Sequence, residues 1–150
     1  WINVKGQETW CEYRGVRKEI PLEPSYKKLD KLTIIRSKSH YHPEFKFLLE
    51  KLNPKNILGV GSVGYKITSI LRGDADVYIS YSLPNGSSPK DWDIAAPLAI
   101  IEGAGGYFTD IKGRKLDFLE GSYDQEGILI ASMTSNHYEI CKKISNIVNA

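Results

Sequence analysis

The chain has 150 residues, 41% of them hydrophobic, and a formal net charge of +2 from 20 basic and 18 acidic residues. That is enough to bury one core and too little for two ordinary domains. Lys18, Lys27, Lys28, Lys31, Lys38 and Lys46 are spread among polar residues, so the charge leaves no footprint for nucleic acid. Cys11 and Cys141 are too few and too far apart for a disulfide framework and read as reduced thiols, which favours a cytoplasmic protein. No apolar run approaches the roughly 20 residues of a membrane span, and no membrane partner is expected.

Residues 1 to 22 alternate apolar and polar around Gly6 and Gly15, the pattern of a strand and hairpin meander. The chain begins at Trp1 and runs straight into this pattern with no signal-peptide layout, so it is expected to be cut from something longer. Pro24 and a lysine-rich stretch make 23 to 31 a connection. A short buried strand is expected over 32 to 36. Pro43 then opens a helix to Leu52 with Phe45, Leu48, Leu49 and Leu52 on one side. The next strand covers 56 to 60, a helix over 63 to 72 closes at Gly73, and a third strand covers 76 to 80. The polar loop 81 to 90 leads to a helix over about 92 to 104, ended by Gly105 or Gly106. If that helix starts at Trp92 or Asp93, Pro97 lies where the first N–H groups lack partners anyway. Short strands are expected at 106 to 110 and 116 to 118 around the turn Lys112-Gly113-Arg114, and a buried strand at 127 to 131. A final amphipathic helix over 135 to 148 takes Ser135 or Asn136 as its cap. Strands alternating with helices predict an α/β layer arrangement, and no internal repeat is present.

Three segments carry candidate chemistry. Gly59-Val60-Gly61-Ser62-Val63-Gly64-Tyr65-Lys66 lies between a predicted strand and a predicted helix. It contains GxGxxG, but a dinucleotide site also needs an acidic residue at the end of the next strand, and Asp76 sits at that strand's beginning. Nor is it a P-loop, because Tyr65 separates Gly64 from Lys66 and no Ser or Thr follows the lysine directly. The loop still suits phosphate: glycines admit an anion to backbone N–H groups, the helix N-terminus adds positive potential, and Lys66 adds a full charge. The plainer alternative is a tight turn with a solvated lysine. The second segment, Asp91-Trp92-Asp93, puts a carboxylate at the start of an apolar helix, where the dipole alone would favour it. Asp91 reads as a solvated loop charge. The third is Arg36-Ser37-Lys38-Ser39-His40, just after a strand; His42 and His137 read as plain surface or packing residues.

Trp92-Asp93-Ile94-Ala95-Ala96, followed by Ala104-Gly105-Gly106, resembles the WDxAA…AGG signature of the inositol monophosphatase superfamily, Mg²⁺-dependent, lithium-sensitive phosphatases of small phosphorylated metabolites. Pro97 stands where many relatives have Gly. The run GSVGYK, with RGDADVYIS after the next helix, resembles the phosphate-binding segment of the superfamily's 3'(2'),5'-bisphosphate nucleotidase branch, and RSKSH resembles a segment lining its nucleotide site. Ser80 departs from several nucleotidases, which carry an arginine there.

The resemblance implies the C-terminal half of the sugar-phosphatase fold, a mixed central sheet flanked by helices, with residues 1 to 22 as a remnant hairpin from the preceding half. It makes Asp93 a metal ligand. Gly61, Ser62, Gly64 and Lys66 would hold the non-scissile phosphate of the substrate, and Ser39 and His40 the nucleotide. The implied activity is hydrolysis of adenosine 3',5'-bisphosphate to AMP with two or three Mg²⁺ ions, of which at most one partial site falls here. The remaining metal ligands, a Glu-Glu pair and a DPxDGT motif, belong to an N-terminal half absent from these residues. That half is the expected partner, the chain alone is expected to be inactive, and its uncovered apolar surface is expected to drive self-association. The alternatives are an inositol or sugar monophosphatase of the same superfamily and a non-catalytic nucleotide- or phosphate-binding module.

Overall fold

The computed structural model describes residues 1–19, 24–39, 41–84, 86–118 and 123–150. Its centre is a five-stranded mixed sheet in the order β4-β3-β5-β7-β6, formed by β3 (Thr33–Ser37), β4 (Asn56–Val60), β5 (Val77–Tyr81), β6 (Tyr107–Asp110) and β7 (Ile128–Ser132). β3 is parallel to both β4 and β5, while β7 runs antiparallel to β5 and β6. The period-2 alternation of each strand sends its residues to two separate cores. Ile34, Val77, Ile79, Ile128 and Ile130 face helices α1 (Pro43–Leu52) and α4 (His137–Val148). Ile35, Tyr78, Leu129 and Ala131 face α2 (Val63–Arg72) and α3 (Asp91–Gly103). The result is an α/β/α sandwich.

Chain order creates the cleft. From β3 the chain passes through α1 to β4 on one side of β3, then returns through α2 to β5 on the other side. A sheet whose strand order reverses in this way opens a crevice at the carboxyl ends of the strands at the reversal. Here the ends of β3 and β4 and the N-termini of α2 and α3 border it. An antiparallel hairpin of β1 (Trp10–Tyr13) and β2 (Val16–Glu19) packs on the far end of α3: Thr9 Oγ1 donates to the Ile100 carbonyl at 2.8 Å. A Cβ on Gly103 would run into the side chains of Asn3 and Thr9, so any other residue there would force both to shift where the hairpin crosses the helix.

Most expected elements are present with one-residue shifts at their ends. The hairpin is seen through residue 19; 20 to 22 lie outside the described residues. Three expectations are corrected. Leu116 to Phe118 is not a strand: both residues pack against the core, but the backbone makes only an isolated bridge between Thr109 and Lys115. Pro97 is not at a helix boundary, because α3 begins at Asp91 and the proline sits buried in its second turn, removing the donor that would bond the Asp93 carbonyl. Asn136 does occupy the cap position of α4, but its amide is spent on the backbone N–H and carbonyl of Lys27, at 3.2 and 3.0 Å, instead of capping the helix. At the other end of α3 Ala104 is the cap residue and Gly105 follows with φ +82°, as a left-handed exit requires.

Candidate active site

β4 ends at Val60, and the chain turns into α2 through Gly61 and Ser62. The positive φ of this turn belongs to Ser62, at 29°, and not to a glycine. A Cβ on Gly61 would meet open space, and one on Gly64 only an ordinary 3.7 Å contact with Ser62 Oγ. Neither glycine is demanded by turn geometry or packing. Their missing side chains instead leave the mouth of α2 open, with Ser62 as N-cap and its hydroxyl 3.5 Å from the Tyr65 N–H.

One turn into α2 lies Lys66. Only 2% of it is exposed, which overturns the solvated-lysine reading. Its ammonium lies 5.2 Å from the centroid of the Tyr78 ring, and among the described residues no carboxylate offsets its burial, which pushes it down to about 8. A lone buried ammonium is unfavourable unless an anion joins it.

Lys66 lines a cavity of about 260 Å³ together with Ser37, Ser39, Gly61, Ser62, Tyr78, Ser87 and Asp93. Three segments far apart in sequence, around residues 39, 61 to 66 and 93, therefore meet. Gly64 sits just behind this lining, in the first turn of α2, and His40 lies outside the described residues. Apart from Asp93, the polar groups here are ammonium, hydroxyls and the first N–H groups of a helix, a set that favours an oxyanion. A second cavity of about 300 Å³ adjoins it, sharing Ser39 and Ser87, and is walled by Tyr41, His42, Tyr81 and Leu83. The Arg36 guanidinium stacks 3.9 Å over Tyr41 and donates to the Ser37 carbonyl at 2.9 Å, fixing that wall. His42 is a packing residue, as expected: it caps α1 by accepting from the Phe45 N–H at 3.3 Å and lies against Tyr81.

Asp93 is exposed on the cavity rim, and its Oδ2 accepts the Lys90 N–H at 3.0 Å, closing the first turn of α3. Its other oxygen makes no protein bond among the described residues and fits as one ligand of a hard cation. Asp91 cannot join it: far from being a solvated loop charge, it is the first residue of α3, partly buried, and accepts from Gln125 Nε2 at 2.7 Å. Among the described residues no cluster of three or more His, Cys, Asp or Glu side chains converges. The chain fits part of a Mg²⁺ site, with one carboxylate.

The Gly-rich turn is not a dinucleotide fingerprint. Asp76 lies at the opposite end of β5 from the cleft, where it accepts from Lys27 Nζ and the Thr33 N–H, each at 2.7 Å. Sequence reasoning missed Tyr78 altogether, because an aromatic within Val77–Tyr81 reads as core.

The chain is an α/β/α sandwich whose cleft, at a strand-order reversal, is lined by an ammonium and hydroxyls and carries a carboxylate on its rim. Residues 1–149 match the model of the inositol monophosphatase family, and the chain belongs to that family. It is 30% identical over 122 residues to 3'(2'),5'-bisphosphate nucleotidase 1 of Dictyostelium discoideum, covering 79% of this chain and 37% of that protein. It is 33% identical over 103 residues to inositol monophosphatase 3 of Xenopus laevis, covering 65% and 28%. An inositol monophosphatase structure from Zymomonas mobilis superposes with a TM-score of 0.71 at 23% identity, over 100% of this chain and 53% of that one. The chain thus spans about a third of the length of these curated relatives and about half of the solved one.

Proposed function

We propose that the chain is the C-terminal half of a Mg²⁺-dependent 3'(2'),5'-bisphosphate nucleotidase that converts adenosine 3',5'-bisphosphate to AMP and phosphate. The observation that carries this reading is Lys66: a buried ammonium without an anionic partner among the described residues, in the same cavity as Asp93. A monophosphate substrate would place its one phosphate at the metal and leave Lys66 unmatched, whereas a bisphosphate supplies an anion to each. The aromatic-walled cavity next door offers Tyr41 and Tyr81 as surfaces for a base.

In the reaction, water attacks the 3'-phosphorus, the P–O3' bond breaks, and the leaving oxygen takes a proton to become the ribose hydroxyl. Mg²⁺, when bound, lowers the cost of activating that water and of the charge on the leaving oxygen. Asp93 would hold one ion. Lys66, Ser62 and the N–H groups opened by Gly61 and Gly64 would grip the second phosphate and so orient the first, while Ser39 and His40 would meet the nucleoside. A cytoplasmic location belongs to the same proposal and rests on the free thiols of Cys11 and Cys141.

The identity shared with the Xenopus monophosphatase supports a second reading, an inositol monophosphatase. A substrate panel tests the two, applied to the enzyme containing this chain: adenosine 3',5'-bisphosphate, its phosphosulfate relative, AMP and inositol 1-phosphate. The nucleotidase reading expects bisphosphate to be favoured at least tenfold in kcat/KM. Equal turnover of inositol phosphate would sink it.

A further inference from the structure

Tyr78 is fully buried in the middle of β5, with its ring edge-on to Phe108 at 5.9 Å. Its hydroxyl has no hydrogen-bond partner among the described residues. Ser80 and Ser37 lie near enough to pull on the hydroxyl electrostatically, but neither closes a bond of good geometry. An orphaned buried hydroxyl destabilises a fold, and phenylalanine would fill the same space without it. Yet Tyr78 stands in the wall of the cavity that Lys66 lines, directly beneath the ammonium.

The ammonium lines the cavity and the tyrosine stands in its wall, and among the described residues neither polar head closes a hydrogen bond with the protein; their needs are complementary. The ammonium needs negative charge, and the phenol needs an acceptor. Burial raises the phenol above its ordinary range, against a smaller opposing pull from Ser80 and Ser37, and keeps it an O–H donor. A phosphate oxygen meets both needs, because it can accept from the hydroxyl and the ammonium together.

We infer that the Tyr78 hydroxyl is a direct donor to the phosphate held by Lys66, so that its missing partner is the substrate itself. The inference rests on the reading of this cavity as a phosphate site, and adds to it a donor from the sheet that the Gly-rich loop does not supply. A phosphate here would be held from the floor by Tyr78 and Lys66 and from the side by Ser62 and the start of α2.

The test is calorimetric titration of the 150-residue chain with adenosine 3',5'-bisphosphate, alongside thermal unfolding without ligand, for wild type, Tyr78→Phe and Lys66→Met. The inference expects Tyr78→Phe to weaken binding by about tenfold or more. It also expects the ligand-free midpoint to stay level or rise by about 2–4 °C, since the hydroxyl has nothing to lose without ligand. A merely structural tyrosine would move the two together. Three outcomes overturn the inference. If Tyr78→Phe lowers the ligand-free midpoint along with affinity, the hydroxyl has a partner in the free protein. If Tyr78→Phe binds like wild type and Lys66→Met does not, the phosphate site stands without Tyr78. If the wild-type chain shows no binding at millimolar bisphosphate, or Lys66→Met binds as wild type does, the phosphate reading falls with it.

Discussion

The Lys66 ammonium sits 5.2 Å above the centre of the Tyr78 ring, and among the described residues no carboxylate pairs with it. The fold thus keeps a cation where the protein alone gains nothing from it. Lys66→Met should raise stability at pH 7 by about 1–3 kcal/mol while removing phosphate binding. The pH dependence has a definite sign. The folded lysine titrates near 8 and the unfolded one near 10.5, so between those values the unfolded chain holds more protons and wild-type stability rises with pH. Lys66→Met should flatten that rise. Urea unfolding at pH 7 and 9.5 checks both statements, and a lower midpoint for the variant at pH 7 would show that Lys66 stabilises the free fold.

One oxygen of Asp93 closes the first turn of α3 on the Lys90 N–H, and the residue stands on the cavity, so its capping role can be separated from the metal-ligand role proposed for it. Asn retains an acceptor for that N–H; Ala does not. Asp93→Ala should therefore cost about 1 kcal/mol of chain stability and Asp93→Asn less than about 0.5. In the enzyme containing this chain both variants should lose several orders of magnitude in kcat at saturating substrate. Substantial turnover by Asp93→Asn would remove Asp93 from the metal site.

The sheet was legible in the sequence because β3, β5 and β7 are short apolar runs between clear turn signals, and the helices because their apolar residues recur on one side. The cleft was legible only in part. Ser39, Ser62, Lys66 and Asp93 carry side chains whose chemistry announces itself, but no pattern in sequence brings residues 39, 62 and 93 together; the reversal at β3 does that. The depth of Lys66 was hidden because a lysine in the first turns of a helix is usually solvated. Tyr78 was hidden for the opposite reason, since a tyrosine flanked by Val77 and Ile79 looks like ordinary core. Leu116 and Phe118 mimicked a strand because both are partly buried against the core, although the ladder there stops at a single bridge. Pro97 misled because boundary logic started α3 at Trp92 or Asp93, one or two residues too late, and took the proline for a boundary residue.

His137 gives a pH prediction away from the cleft. It is fully buried, with Nδ1 2.8 Å from Ser132 Oγ and Nε2 2.9 Å from Thr109 Oγ1, and burial pushes it down to about 4. As pH falls from 6.5 towards 4 the unfolded chain gains a proton that the folded chain refuses, so stability should fall by about 3 kcal/mol across that window. It should be fully present above 6.5. The His137 ring resonances should stay constant down to pH 5, and a midpoint near 6.5 would contradict the buried, neutral assignment.

The outer edge of the sheet bears on association. Among the described residues β4 pairs only with β3, and Ile57 and Leu58 within it are 42% and 37% exposed. An open apolar edge strand invites pairing with another chain. The chain alone should self-associate as concentration rises, and Ile57→Lys should shift it towards monomer by putting a charge on that edge. Sedimentation velocity across a hundredfold concentration range reads this, and a wild-type chain that stays monomeric throughout would show that the edge is not sticky.

The same incompleteness governs catalysis. Hydrolysis of a phosphate ester by two-metal chemistry needs several carboxylates around ions roughly 3.5–4 Å apart. Among the described residues Asp93 is the one carboxylate on the cavity, with Asp91 turned towards Gln125. The 150-residue chain should therefore bind bisphosphate through Lys66 yet hydrolyse it no faster than a Lys66→Met, Asp93→Ala double variant, even in millimolar Mg²⁺. Phosphate release measured on the purified chain decides the matter. Metal-dependent turnover that Asp93→Ala abolishes would mean that these residues assemble a complete metal site, and the half-enzyme reading would have to be given up.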